Sequence, residues 1–124
     1  MPSVEETRRE RRRAHRLARK LIRFLRDEFT WTVRFMDLEK ERVRKSIGFT
    51  RRIVGATLWD RELIAIDPTF DDFFAVLIHE CLHAVFPDMS EADVRGLERL
   101  LRKHLTPAQA SDLIAYTARR LPRP

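Results

Sequence analysis

Leu77-Ile78-His79-Glu80-Cys81-Leu82-His83-Ala84-Val85-Phe86 is an apolar run that contains a His-Glu-x-x-His pattern. As a helix, this run sets His79 and His83 four residues apart, one turn above the other on one face. Two imidazoles so placed can hold a single zinc ion. Glu80 falls about 100° round the same helix, where a carboxylate suits a general base for metal-activated water. Phe73, Phe74, Val76, Leu77, Ile78, Cys81, Leu82 and Val85 make the segment apolar nearly all round, which predicts a buried helix. Two histidines and a glutamate in such a helix need partners, because unpaired polar groups there are costly.

The flanking residues bound this helix. Asp67-Pro68-Thr69 closes the preceding segment, with Thr69 as the N-cap and Asp71 and Asp72 in the first turn. The predicted helix runs from Phe70 to Phe86, where Pro87 stops it. Ser90 then caps a third helix from Glu91 to about Leu105, with Val94, Leu97, Leu101 and Leu105 on its inner side. Thr106-Pro107 opens a fourth, Ala108 to about Leu121.

Upstream, the period changes from helical to alternating. Residues 30–38, with Trp31, Val33 and Phe35 on one face, favour a strand. Residues 39–45 are charged and read as a connection. Ile47-Gly48-Phe49 and Arg52 to Trp59 read as extended. Asp60-Arg61-Glu62 reads as the turn before a return strand, Leu63-Ile64-Ala65-Ile66. A small, mostly antiparallel sheet of three or four strands follows. Gly55 within a strand marks a bulge or a close backbone approach.

Residues 4–29 read as a long first helix. Ser3 and Glu6 have capping-box spacing, and Ala14, Leu17, Ala18, Leu21, Ile22 and Leu25 recur at steps of three and four. Its other face is nearly all arginine. Arg8, Arg9, Arg11, Arg12, Arg13, Arg16, Arg19, Lys20, Arg23 and Arg26 stand against one acid, Glu10, so the net charge of +6 belongs to this element. A solvated face is one reading of it, a phosphate-binding surface for nucleic acid is another, and a membrane-surface role is a third. No stacking aromatics interleave the arginines, which argues against single-strand recognition.

The expected class is α+β, in one domain over residues 1–124 with the basic amphipathic helix at 1–29. No apolar segment approaches the length of a membrane span. The N-terminus lacks the continuous apolar core of a secretory signal, and the default location is the cytoplasm. Cys81 is the only cysteine. It therefore offers neither a disulfide framework nor a thiolate zinc site, and it points away from His79 on the helical wheel.

Catalytic zinc ordinarily takes three protein ligands plus water, so the motif helix supplies two of three. His15, in the arginine helix, and His104, near a helix C-terminus, are poor candidates. The acidic residues after the motif are better placed. Glu91 and Glu98 border the buried stripe of the third helix, whereas Asp93 faces away. The short link Pro87-Asp88-Met89 brings the first turn of that helix back beside His83. Glu91 is the first choice, Glu98 the second and Asp88 the third.

The pattern resembles the glutamate zincin class of zinc metallopeptidases, and within it the compact ImmA/IrrE-type peptidases. In those, a strand ending in Ile-x-Ile-Asn/Asp precedes the motif helix, and a Glu-Ala-Asn segment opens a later helix. The corresponding segments here are Ile64-Ala65-Ile66-Asp67, His79-Glu80-Cys81-Leu82-His83 and Glu91-Ala92-Asp93. The resemblance covers roughly residues 50–105 and implies zinc ligation by His79, His83 and Glu91, with Glu80 as the catalytic base. The chain departs from that family in its shorter His83–Glu91 gap and in Asp93. It is more distantly similar to SprT-like proteases, whose third histidine has no counterpart here.

The expected function is a zinc-dependent peptidase acting on a protein or peptide substrate, which could pair along an edge strand. The alternatives are a nucleic-acid-binding module with structural zinc, using the Arg8–Arg26 face, and a catalytically inactive interaction protein. Tyr116, the only tyrosine, is read as a packing residue.

Overall fold

The computed structural model describes residues 3–28 and 30–122. In chain order the elements are α1 (Val4–Asp27), β1 (Thr32–Phe35), α2 (Glu41–Ser46), β2 (Gly55–Leu58), β3 (Leu63–Ile66), α3 (Phe73–Val85), α4 (Glu91–His104) and α5 (Pro107–Arg119). The class is α+β, with a long first helix, a small sheet, a buried motif helix and two C-terminal helices. The expected last residue of α1, Phe29, lies outside the described residues.

The sheet is mixed rather than mostly antiparallel. Its order is β1-β3-β2. β2 and β3 form the expected antiparallel pair, from Gly55↔Ile66 to Leu58↔Leu63, whereas β1 runs parallel to β3, from Thr32↔Leu63 to Phe35↔Ile66. Alternation identifies a strand but not its partner. The hairpin return brings β3 between the other two, which leaves β1 parallel to its neighbour. The hairpin turn includes Glu62 at φ 47°.

Between β1 and β2, the stretch expected as a connection forms a short helix. The charged stretch contains α2, which has no buried residue. An i,i+4 pair between Glu41 and Lys45 (2.9 Å) stabilises it, and the Arg44 guanidinium donates to the Leu38 and Glu39 carbonyls (3.0 and 2.8 Å). Ile47-Gly48-Phe49 is a turn rather than a strand. Gly48 takes φ +92° just past the helix, a conformation that glycine adopts without steric cost.

The sheet has two covered faces. Val33, Ile64 and Ile66 join Ala18, Leu21 and Leu25 of α1 and Leu77, Ile78 and Leu82 of α3 in the main core. Ala56 and Ala65 point the other way, onto Leu38 and Ile47. Phe35, expected to share a face with Val33, lies beside Ile66 and Leu77 at the margin of that face and is 45% exposed. The start of α3 also differs from expectation. Thr69 donates its backbone N–H (2.9 Å) and its hydroxyl (2.6 Å) to the Asp67 carboxylate, so Asp72 caps the helix and α3 begins at Phe73.

The helices pack as α1 against α4 and α5, and α3 against α4 and the sheet. Arg120 fastens the C-terminal end of α1, donating to the Leu25 and Arg26 carbonyls (2.6 Å each). Glu10, on the inward side of α1, lies 3.2 Å from the His104 ring and 3.3 Å from Lys103 Nζ. Among the described residues, no helix is long and apolar enough to cross a membrane.

Candidate metal centre

α3 places His79 and His83 as the four-residue spacing dictates, with ring centroids 4.9 Å apart. Ser90 accepts the Asp93 N–H (3.2 Å) and so starts α4 at Glu91, whose side chain returns over the two rings. One carboxylate oxygen of Glu91 lies 2.7 Å from His79 Nε2 and the other 2.7 Å from His83 Nε2. One ligand atom from each of these three residues lies within 4.8 Å of the others.

The donor set fits a metal ion on chemical grounds. The second nitrogen of His79, Nδ1, sits 3.0 Å from Glu98 Oε1. When Nδ1–H donates to that carboxylate, neutral His79 presents a bare lone pair at Nε2. Nε2 then faces the Glu91 carboxylate, acceptor against acceptor. Only an added proton or a cation makes that contact favourable. Two imidazole nitrogens and a carboxylate are an ordinary zinc set with room for water, and the carboxylate behind His79 is the usual outer support of such a ligand.

Glu98, the second choice for the third ligand, therefore stands behind His79 and not among the converging atoms. Asp88, the third choice, is exposed on the α3–α4 link and outside the cluster. His15 is also outside it, and His104 is engaged with Glu10. Cys81 is 1% exposed in the core.

Glu80 is buried beneath β2 and has a specific partner. The Thr57 hydroxyl donates to the Glu80 carbonyl (2.8 Å) and lies 3.0 Å from its Oε1. Burial pushes the Glu80 carboxyl up. The Thr57 hydrogen bond and the nearby histidines oppose this without cancelling it, and the Glu91 charge adds to it. A carboxylate with a raised pKa is a stronger proton acceptor than an ordinary one. For Glu91, partial burial pushes upward, but the His83 hydrogen bond and the electrostatic pull of the two rings outweigh it and hold the group below its usual range.

The surrounding cleft has a volume of about 710 Å³ and is lined in part by Val54, Gly55, Phe70, His79, Glu80 and Glu91. Along one side, Arg102 pairs with Asp72 (2.7 Å). Arg95 approaches Glu91 at 3.7 Å. The Trp59 indole N–H donates to the His83 carbonyl (3.1 Å), so the turn after β2 is tied to the end of the motif.

The sequence reading missed Thr57 and Trp59 at this site. The signal for Thr57 was present, because in a strand it shares a face with Gly55, already marked as a point of close approach. Nothing local marked Trp59, whose partner is 24 residues away. No family model matches the chain, and no curated protein or solved structure is significantly similar to it.

Proposed function

We propose that this chain is a zinc-dependent peptidase of the glutamate zincin type, with zinc held by His79, His83 and Glu91 and with Glu80 as general base. The observation that carries the reading is the convergence of two imidazole Nε2 atoms on one carboxylate, each at 2.7 Å, next to a buried glutamate with a raised pKa. When bound, zinc supplies Lewis acidity, which polarises a peptide carbonyl and acidifies water. Glu80 takes the proton from the attacking water and delivers it to the leaving amine. Thr57 holds the Glu80 carboxylate in place for both transfers. Glu98 fixes the His79 ring so that Nε2 faces the centre. Because β2 is an edge strand beside the cleft, its unpaired backbone groups offer an extended peptide a place to pair. A cytoplasmic setting accords with a lone, reduced cysteine.

The test compares wild type with Glu80→Gln for metal content and for cleavage of an unstructured protein such as casein. The expected result is one zinc per chain in both and cleavage by wild type alone. Persistent cleavage by Glu80→Gln at full zinc content would remove the mechanism. Wild-type protein purified and reconstituted without bound zinc would remove the centre.

A further inference from the structure

We propose that the outer face of α1 is a binding surface for the phosphate backbone of double-stranded nucleic acid, independent of the metal centre. The pattern on the helix is the first observation. With Arg12 as reference, Arg8, Arg16, Arg19, Arg23 and Arg26 all fall within about 40° of it, at 100° per residue. Buried Ala14, Ala18, Leu21 and Leu25 occupy the opposite side. Six arginines thus form a straight stripe that spans roughly 27 Å at 1.5 Å per residue.

Pairing is the second observation. At the ends of the stripe, Arg8 approaches Glu5 at 3.8 Å and Arg26 pairs with Asp27 at 2.8 Å. Arg12, Arg16 and Arg19 are exposed and have no ion-pair or hydrogen-bond partner among the described residues, and Arg23, also exposed, acts on Asp27 through space without pairing with it. The one acid of the run, Glu10, is on the inward side with His104 and Lys103. Like charges at successive turns repel, so the bare stripe weakens its own helix and a polyanion along it relieves that repulsion. Duplex nucleic acid presents about one charge per 1.7 Å of axis and supplies such an array.

Other polyanions fit less well. An interfacial membrane helix needs a free apolar face, and the apolar face of α1 is occupied by packing against α3, α4 and α5. A protein interface centres on aromatic or aliphatic anchors, and the stripe has none. Single strands bind through stacking aromatics. Phe24 is the only aromatic of α1, and it is partly buried edge-on against Trp31 (5.4 Å).

The experiment measures fluorescence anisotropy of a labelled random-sequence duplex of about 20 base pairs with the full chain, between about 50 and 200 mM salt. Arg12→Gln/Arg16→Gln/Arg19→Gln is compared with a charge-matched control on other exposed arginines, Arg34→Gln/Arg42→Gln/Arg51→Gln. Glutamine keeps helix propensity, and circular dichroism checks that each variant is folded. The expected result is binding that falls steeply with salt, with a log–log slope reduced by about three in the stripe variant and little changed in the control. Absence of binding at the lowest salt overturns the proposal. So does equal weakening of both variants, or tighter binding per charge to anionic phosphatidylserine vesicles or polyglutamate.

Discussion

Thr57 holds Glu80 at two points, with its hydroxyl 2.8 Å from the backbone carbonyl and 3.0 Å from Oε1 of the same residue. The hydroxyl has one proton, so the two acceptors share it, or the carboxyl when protonated donates back. Thr57→Val keeps the shape and removes the hydrogen bond. Leaving the buried carboxylate without this partner is expected to cost about 1–3 kcal/mol in denaturant unfolding. Thr57→Ser should recover most of the loss. Peptidase activity should follow the same order at constant zinc content, and equal activity in all three proteins would mean that Thr57 does not position the base.

Gly55 is the residue that lets β2 lie against α3. A Cβ built there would meet Val76 Cγ1 at 2.5 Å and Glu80 Cγ at 3.1 Å. Gly55→Ala is therefore expected to destabilise by roughly 1–3 kcal/mol through overpacking, and to displace Glu80. Val76→Ala in the same chain removes the closest atom. The double variant should lose less stability than the sum of the two single changes, which thermal unfolding of the four proteins would show.

Glu98 touches only the far nitrogen of His79, and its effect should pass through that ring. Glu98→Ala is expected to weaken zinc affinity by about 10–100-fold, as removal of an outer-shell carboxylate commonly does, while Glu91→Ala should weaken it further. Competition with a chromophoric chelator ranks the two. The reverse order would exchange their roles and make Glu98 the ligand.

Burial pushes the Cys81 thiol up to about 12, with the Glu80 charge adding to the effect. Near neutral pH the reactive thiolate is then almost absent. Disulfide reagents should label the native protein very slowly and the guanidinium-unfolded protein at once. Fast labelling without unfolding would place Cys81 outside the core.

Elements with one strong local signal were legible in the sequence. β3, at Leu63–Ile66, and α4, which begins at Glu91 behind its Ser90 cap, lie where the Asp60-Arg61-Glu62 turn and the cap place them. α2 was not legible, because it is short and charged, with one ion pair, the Arg44 carbonyl contacts and Val43 as its single apolar contact with the core. The β1–β3 pairing was also hidden, since parallel registration depends on where the hairpin docks and not on β1 itself. At the centre, the spacing of His79, Glu80 and His83 follows from one helix. Distinguishing Glu91 from Glu98 required the approach of α4 to α3, which spacing alone does not specify.

The short link from Phe86 to Ser90 has a thermodynamic consequence. His79, His83 and Glu91 all lie within thirteen residues of chain, so an ion between them closes a small loop and restrains little of the unfolded ensemble. Metal binding should act as a local clasp on the α3–α4 hairpin. α1 is fastened away from that junction, through Arg120 at its C-terminal end and through Glu10 to the last turn of α4. Chelation should then speed amide exchange at the α3–α4 junction while α1 stays protected, so that site occupancy and the integrity of the fold can be measured separately.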